Sequence, residues 1–288
     1  LMASYKINDL LYLMSRLRDQ DHGCPWDLKQ TPETLIQHSV EEVYELVDAI
    51  ESGNSKDIRS ELGDVLFQVV FFARLAEENQ QFDFNEVVDQ LCSKLIRRHP
   101  HIFIDGQLFH TNGHNEQRES ITEQQVSKNW EEIKAAERET KGREGLFDDV
   151  PLALPALLRA VKLQKRASTM GLDFPQARSA LEKLKEEISE LEQAMDGYQQ
   201  RGTSAQTCEE TMIDELGDVL FSSVNVARKL AINPESALRG ANQKFTYRVL
   251  AVLARLPLDQ ADNGRHGEQM PTDPKLLDKL WRSVKHGD

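Results

Sequence analysis

The chain has 288 residues, and its 48 acidic side chains outnumber 35 basic ones, giving a formal net charge of −13 at pH 7. This charge argues against a nucleic-acid-binding surface, which leaves a basic footprint, and no apolar run approaches the ~20 residues of a membrane helix. Three scattered cysteines without a Cys-x-x-Cys pair favour neither a disulfide framework nor a zinc site. We therefore expect a cytoplasmic protein that binds neither nucleic acid nor a membrane.

Helical periodicity dominates the first half of the chain. Val40, Val43, Val47 and Ile50 follow the i, i+3, i+4 spacing of one helical face. A short loop at residues 51–55 separates this helix from a second, strongly apolar one, in which residues 65–73 contain a single polar side chain. We expect no strands, a polar connector at residues 99–125, and a further helix around Trp130.

The second half repeats the first. The heptapeptide Glu-Leu-Gly-Asp-Val-Leu-Phe occurs at residues 61–67 and again at residues 215–221, 154 positions later. Before it, Leu181, Leu184 and Ile188 form a helical stripe, and a loop is predicted at residues 196–207. The repeat extends to a basic pair, Lys94 and Arg98 matching Lys244 and Arg248, and to two tryptophans, Trp130 matching Trp281. The sequence therefore predicts an all-α tandem duplication with two domains, residues 1–145 and 146–288.

Each half carries the acidic pattern Glu-Glu-x-x-Glu on one helix and Glu-x-x-Asp on the next. If the two helices pack antiparallel, four carboxylates converge: Glu42, Glu45, Glu61 and Asp64 in the first half, and Glu187, Glu190, Glu215 and Asp218 in the second. The Glu-x-x-Asp helices are apolar nearly all round, so we expect them inside a bundle, where uncompensated carboxylates are costly. A divalent metal is the simplest compensation, and oxygen ligands alone select Mg²⁺, with Mn²⁺ as a substitute.

A glycine lies between the two acidic residues of each Glu-x-x-Asp pair. Gly63 and Gly217 disfavour the helix by about 1 kcal/mol relative to alanine. We expect them to allow close approach by a facing helix or a ligand.

These residues resemble the MazG family of nucleoside triphosphate pyrophosphohydrolases. The family pattern is matched at Glu41, Glu42, Glu45, Glu61 and Asp64 and again at Glu186, Glu187, Glu190, Glu215 and Asp218. The resemblance also covers the Gly-Cys-Pro-Trp-Asp segment at residues 23–27 and the Arg-Arg-His-Pro-His run at residues 97–101. It implies an all-α intertwined homodimer that depends on Mg²⁺ and hydrolyses nucleoside triphosphates to monophosphates and pyrophosphate.

The resemblance implies roles for particular residues. Water would attack the α-phosphorus beside Mg²⁺ held by Glu187, Glu190, Glu215 and Asp218, and Glu186 would orient or deprotonate that water. Lys244 and Arg248 would bind the leaving phosphates, whereas Trp281 would either stack on a base or cap the bundle. The predicted nucleotide contacts are Lys183, Glu187, Asp214, Asp218, Asn225, Lys244, Arg248 and Trp281.

The second half is predicted to be the catalytic one. Seven residues after Asp218, on the same helical face, stands Asn225, whose amide can contact phosphate or sugar, whereas Phe71 occupies the matching place after Asp64. The carboxylates of the first half, Glu42, Glu45, Glu61 and Asp64, would then form a weak or inactive site, and the first half would serve dimerisation. One departure puts a phosphate contact in doubt, because Thr211 stands where some relatives carry a lysine.

Two other classes of protein compete with this hypothesis. A di-iron carboxylate bundle needs Glu-x-x-His pairs, and no histidine here has a glutamate three residues before it. A non-catalytic helical dimer that binds nucleotides or a protein partner would keep the apolar stripes but has no need of the carboxylates. The sequence does not reveal the preferred triphosphate, whether an alarmone is a substrate, or the number of metals per site.

Overall fold

The protein is described from a computed structural model that covers residues 4–103, 106–109, 122–140, 145–201, 205–256 and 273–286. Within these ranges every regular element is a helix and none is a strand, which confirms the all-α prediction. None of the described helices combines the length and the apolarity needed to cross a membrane. Residues 104–105 and 110–121 of the predicted connector lie outside the described residues.

The chain divides into two compact units, Leu1–Lys134 and Ala135–Asp288. The first unit contains α1 (Ile7–Leu17), a 3₁₀ turn (Asp27–Lys29), α2 (Pro32–Ser52), α3 (Ser55–Glu78), α4 (Phe84–Arg98) and most of α5 (Glu123–Thr140). The second contains α6 (Ala156–Thr169), α7 (Ala177–Arg201), α8 (Ala205–Lys229), α9 (Pro234–Leu253) and α10 (Pro274–His286). The division falls within α5, so a domain boundary near residue 145 stays a prediction.

The helical hairpin α2–α3 is defined by its caps. Thr31 accepts a hydrogen bond from the Thr34 amide at the start of α2, and Pro32 fits the first helical position. At the other end Gly53 takes a left-handed conformation with φ 73°, after which the Asn54 side chain caps α3. Only two residues therefore separate the helices, as the short predicted loop requires, and the carboxylates on α2 are brought back alongside those on α3.

The core of the first unit lies between α1, α2 and α3. Met14, Leu35, Val70, Phe71 and Leu75 are buried together, with Phe67 and Phe84 packed against them. Arg18 fixes the loop after α1 by donating to the Glu78 carboxylate at the end of α3 and to the carbonyl of Asp27.

In the second unit α7 and α8 form the corresponding long hairpin, and α6 packs on α8. The predicted loop at residues 196–207 is wrong in extent, because α7 continues to Arg201 and α8 already begins at Ala205. The polar and glycine-containing composition suggested a loop, but Gly197 lies within the continuing helix. A single glycine disfavours a long helix by only about 1 kcal/mol, so the rest of the helix outweighs it.

The apolar stripes of the hairpins are only partly covered within one chain. Leu62, Leu66 and Val69 on α3 and Ile213, Leu216 and Leu220 on α8 are exposed. The prediction that these helices lie inside a bundle therefore holds only in part within one chain. Helix α3 packs against α1, α2 and α4, and α8 packs against α6, α7 and α9, but each keeps exposed apolar side chains. Exposed apolar surface arranged along a helix marks an interaction face.

Candidate metal centre

Three carboxylates of the second unit meet where α7 packs on α8. Glu187, Glu215 and Asp218 each offer one oxygen, and these oxygens all lie within 4.8 Å of one another. Glu187 comes two turns after the fully buried Ala180, so it shares the face of α7 that α8 covers, and it is only 6% exposed. Glu215 is half-buried and Asp218 is exposed. The deepest carboxylate therefore comes from α7, not from the Glu-x-x-Asp helix that the sequence favoured.

Glu190 adjoins this cluster from one turn further along α7. A hydrogen bond between the Glu190 and Glu187 carboxyl groups, together with desolvation, raises the pKa of Glu190 above its usual value. All four predicted ligands are thus neighbours, although Glu190 lies outside the tight group of three.

Lys183 provides a positive charge at the edge of the cluster. Its Nζ lies 2.8 Å from Glu186 Oε1 and 3.1 Å from Glu187 Oε1. The hydrogen bonds to these two carboxylates raise the pKa of Lys183, so the ammonium group remains charged at neutral pH. Glu186, the predicted base, is exposed and is held by this lysine.

The first unit contains a matching cluster of Glu42, Glu45 and Glu61, whose oxygens also lie within 4.8 Å of one another. Desolvation and then the charge of Asp64 raise the pKa of Glu42, which places the exposed Asp64 beside the group. Desolvation and the neighbouring Glu45 raise the pKa of Glu61. Each half of the duplication therefore contains its own cluster of carboxylates.

The two clusters differ at a position that sequence reasoning did not compare. Lys183 stands four residues before Glu187, and His38 stands four residues before Glu42. The His38 ring packs edge-on against Trp26, with centroids 5.8 Å apart, and its Nδ1 lies 3.9 Å from Glu41. Aligning the two acidic patterns residue by residue would have shown that only the second half has an obligate cation here.

The residues of each cluster fit a hard divalent cation. All donor atoms are carboxylate oxygens, without the sulfur or imidazole ligands that softer metals prefer. Desolvation, followed by the charges of neighbouring carboxylates, raises the pKa of Glu42 and of Glu61, and a hydrogen bond to Glu187 followed by desolvation raises that of Glu190.

The other predicted nucleotide contacts are not joined to the carboxylates by any described ion pair. Asp214 and Lys244 are exposed and Arg248 is half-buried. Trp281 packs its ring on Phe245 with centroids 5.8 Å apart, so it holds α10 against α9. Trp130 plays the matching part in the first unit, where its indole donates to the Arg98 carbonyl at 2.8 Å. Base stacking by Trp281 stays a prediction.

Asn225 lies two turns beyond Asp218. Its Oδ1 accepts a hydrogen bond of 2.6 Å from Arg228, and its side chain lines a pocket between α6 and α8. Its counterpart Phe71 is fully buried in the core of the first unit. The two corresponding residues therefore differ in their surroundings, because Asn225 lines a pocket whereas Phe71 lies in the hydrophobic core.

The expectation of close backbone approach at the two glycines does not hold within one chain. A Cβ placed on Gly63 or Gly217 would meet no described atom within 4 Å. A facing helix from a second copy or a bound ligand remains the prediction for this surface.

Comparison with known proteins also shows that the two halves of the chain correspond to each other. A family model described as the MazG nucleotide pyrophosphohydrolase domain matches the chain twice, over residues 30–103 and 176–252. The chain belongs to the MazG family. The two matched segments run from the start of α2 past α4 and from α7 to the end of α9, so each contains one carboxylate cluster and one basic pair.

Two relatives match over nearly the whole chain, and a third matches over about half of it. A nucleoside triphosphate pyrophosphohydrolase of Escherichia coli K12 is 38% identical over 280 residues, 97% of each chain. A nucleoside triphosphate pyrophosphohydrolase/pyrophosphatase MazG of Thermotoga maritima is 37% identical over 286 residues, 99% of this chain and 98% of that one. A nucleoside triphosphate pyrophosphohydrolase of Mycolicibacterium smegmatis is 39% identical over 169 residues, 58% of this chain and 47% of the relative.

Proposed function

We propose that this chain is a Mg²⁺-dependent nucleoside triphosphate pyrophosphohydrolase that releases a nucleoside monophosphate and pyrophosphate, and that the second unit carries the active site. The supporting observation is the cluster of Glu187, Glu215 and Asp218, with oxygens within 4.8 Å of one another and Lys183 at its edge. The names of the full-length relatives support the reaction class.

The metal would be held by Glu187, Glu190, Glu215 and Asp218. When bound there, Mg²⁺ supplies neutralisation of phosphate charge and lowers the pKa of a coordinated water. Glu187, deepest in the cluster, would fix the site against α8, while Asp218 is exposed and would be the ligand most accessible to an arriving substrate.

The remaining steps fall to side chains around the cluster. Lys183 sits within 2.8 Å of Glu186, and an arriving triphosphate would compete for its ammonium group. Releasing Glu186 in this way leaves a free carboxylate to orient the attacking water and accept its proton. Lys244 and Arg248, one turn apart on α9 and without a described ion-pair partner, would bind the leaving pyrophosphate.

The assignment to the second unit rests on two replacements. His38 takes the place of Lys183, so the first cluster lacks an obligate cation for phosphate. Phe71 takes the place of Asn225 and is fully buried in the core of the first unit, so no amide is available there. A first unit of this composition suits a structural or weakly active role.

A homodimer is part of the proposal. The exposed apolar side chains of α3 and α8 would be covered by a second copy, which would also bring a helix to the open surface of Gly63 and Gly217. A rival function as a non-catalytic dimer would use the same apolar faces but would not account for a nearly buried Glu187 among three other carboxyl groups.

Product analysis tests the reaction. Purified protein incubated with ATP and Mg²⁺ should give AMP and pyrophosphate in equal amounts by ion-exchange chromatography, and a chelator should stop the reaction. An Asp218→Asn protein is the matched control for a contaminating enzyme, and Asp64→Asn is its counterpart in the first unit. ADP and orthophosphate as the primary products of an activity that Asp218→Asn abolishes would contradict the proposal.

A further inference from the structure

The loop between α6 and α7 is joined to α8 by one carboxylate. Asp173 Oδ1 accepts a hydrogen bond from Nη2 of Arg228, and Asp173 Oδ2 lies 3.1 Å from Nζ of Lys229. The side chains of Arg228 and Asp173 are only 15% and 26% exposed, so this ion pair is less screened by solvent than an ordinary surface pair. The Arg228 guanidinium group is therefore held in one position beside α8.

The same guanidinium nitrogen orients Asn225, which lies one turn earlier on α8. Arg228 Nη2 donates to Asn225 Oδ1 at 2.6 Å. Because a guanidinium group has donors and no acceptor, the amide atom that faces it must be the oxygen. The two hydrogens of Nη2 are shared between Asp173 and Asn225, so the carboxylate, the guanidinium group and the amide form one chain of hydrogen bonds.

The amide nitrogen of Asn225 remains a free donor. Within the described part of the chain Nδ2 has no hydrogen-bond partner, and unlike Arg228 Nε it is not fully buried. Asn225 follows Asp218 by seven residues, which places it about 20° away around α8 and about 10.5 Å further along it. A nucleoside triphosphate held by a metal at Asp218 would carry its phosphate and sugar oxygens along this stretch of the helix.

The first unit uses the corresponding arginine differently. Arg74, 154 positions before Arg228, donates to Glu78 and to Glu77 on its own helix, both at 2.9 Å. The second unit has apolar residues at the two positions that match these glutamates. Arg74 also has no amide to orient, because Phe71 stands one turn before it. Both halves therefore contain the arginine, but only the second half uses it to hold an asparagine.

We infer that Asp173 and Arg228 are positioning residues, which hold Asn225 so that its amide nitrogen donates a hydrogen bond to an oxygen of the bound nucleoside triphosphate. The inference rests on the proposed function for the identity of the ligand. It adds two residues that touch no substrate themselves, and it specifies which end of the Asn225 amide contacts the ligand.

A double-mutant cycle tests the inference. Hydrolysis of ATP, GTP, CTP and UTP with Mg²⁺ is measured first, and the best substrate is used for the wild type, Asn225→Ala, Arg228→Met and the double variant. We expect each single change to lower kcat/KM roughly 3- to 10-fold, the effect of one hydrogen bond. Once Asn225→Ala is present, Arg228→Met should lower it less than twofold further, because Arg228 acts through Asn225. Asp173→Ala should show the same dependence on Asn225, and it replaces Arg228→Met if that variant does not fold.

Two further variants separate positioning from a structural role. Asn225→Asp keeps the shape of the side chain but has no donor, so it should lose at least as much kcat/KM as Asn225→Ala. Arg74→Met, the matched control, removes ion pairs at the corresponding place in the first unit and should leave kcat/KM within twofold of the wild type. All assays are run at a temperature at which circular dichroism shows every variant to be folded.

Equal losses from Arg228→Met with and without Asn225 would assign the arginine a purely structural role and overturn the inference. Wild-type kcat/KM in Asn225→Ala or in Asn225→Asp would overturn it too. If the wild type hydrolyses none of the four triphosphates, the proposed function fails separately. The same cycle is then measured as binding of α,β-methylene-ATP with Mg²⁺ by calorimetry. A loss of affinity from Arg228→Met that disappears in Asn225→Ala would support the inference, and equal losses or no binding to the wild type would overturn it.

Discussion

Replacing Glu187 by glutamine should raise the thermal stability of the metal-free protein and should reduce the stability that the protein gains from Mg²⁺. The change preserves the shape of the side chain but removes one negative charge from a group whose oxygens lie within 4.8 Å of one another. Two unit charges at that separation repel by about 1 kcal/mol in water and about 3.5 kcal/mol at an effective dielectric constant of 20.

The net effect follows from the neighbours of Glu187. Glu215 is half-buried and Asp218 exposed, so solvent screening puts each repulsion near the lower value, and the attraction of Lys183 at 3.1 Å offsets one of them. Relief from the one remaining repulsion should stabilise the metal-free protein by about 1 kcal/mol, which corresponds to a melting temperature higher by ~2–4 °C. With Mg²⁺ present, the wild type should gain stability and the variant little, because a ligand is missing.

Thermal melts in a chelator and in Mg²⁺ measure both effects, and hydrolysis of ATP should fall at least ~100-fold, since even outer partners of metal ligands contribute 10–100-fold. Glu42→Gln is the matched control: it should stabilise the metal-free protein similarly and leave most of the activity. A Glu187→Gln protein that melts several degrees lower without metal, yet still responds to Mg²⁺, would refute the charge-repulsion reasoning.

Three further predictions concern the halves, the site lysine and acid stability. Glu215→Gln should abolish most turnover and Glu61→Gln should leave much of it; loss of activity in a folded Glu61→Gln dimer would refute the assignment of the active half. Lys183→His, which copies the first unit, should lower kcat/KM about 10-fold or more at pH 8 and less at pH 6, where imidazole is charged; a pH-independent loss would show that the charge is not what matters. Arg228 and then Lys229 lower the pKa of Asp173 to about 2. Because the folded-state pKa is below the usual 3.8, Asp173 contributes stability that is fully present above that value and is lost as the pH falls to about 2. The stability difference between wild type and Asp173→Asn in urea melts should therefore be constant above about pH 5 and shrink below it.

Local patterns were sufficient to predict the helices that carry the carboxylates. The spacing of apolar residues predicts α2 and α3, and the loop around Gly53 marks the boundary between them. The duplicated heptapeptide predicts the same pair of helices, α7 and α8, in the second half. The convergence of the acidic residues followed, because an antiparallel hairpin returns the second helix alongside the first.

Burial was not predictable from the same patterns. An apolar helix surface indicates that something covers it, but not whether the cover comes from the same chain. Asp64 and Asp218 are exposed for this reason, although they sit in apolar helices, whereas Glu187 is buried on a helix in which most residues are polar or charged. The pocket beside Asn225 could not be predicted from the sequence either, because it depends on how α6 packs against α8. The residues that connect these two helices, Gln164 and Phe221, are 57 positions apart in the sequence.

The origin of the oxygen atom that water contributes tests the central claim most directly. ATP is hydrolysed by the protein in ¹⁸O-labelled water with Mg²⁺, and the products are examined by mass spectrometry. Attack at the α-phosphorus beside the Glu187 cluster predicts one ¹⁸O atom in AMP and none in pyrophosphate. Label in pyrophosphate, or in orthophosphate released with ADP, would contradict the account.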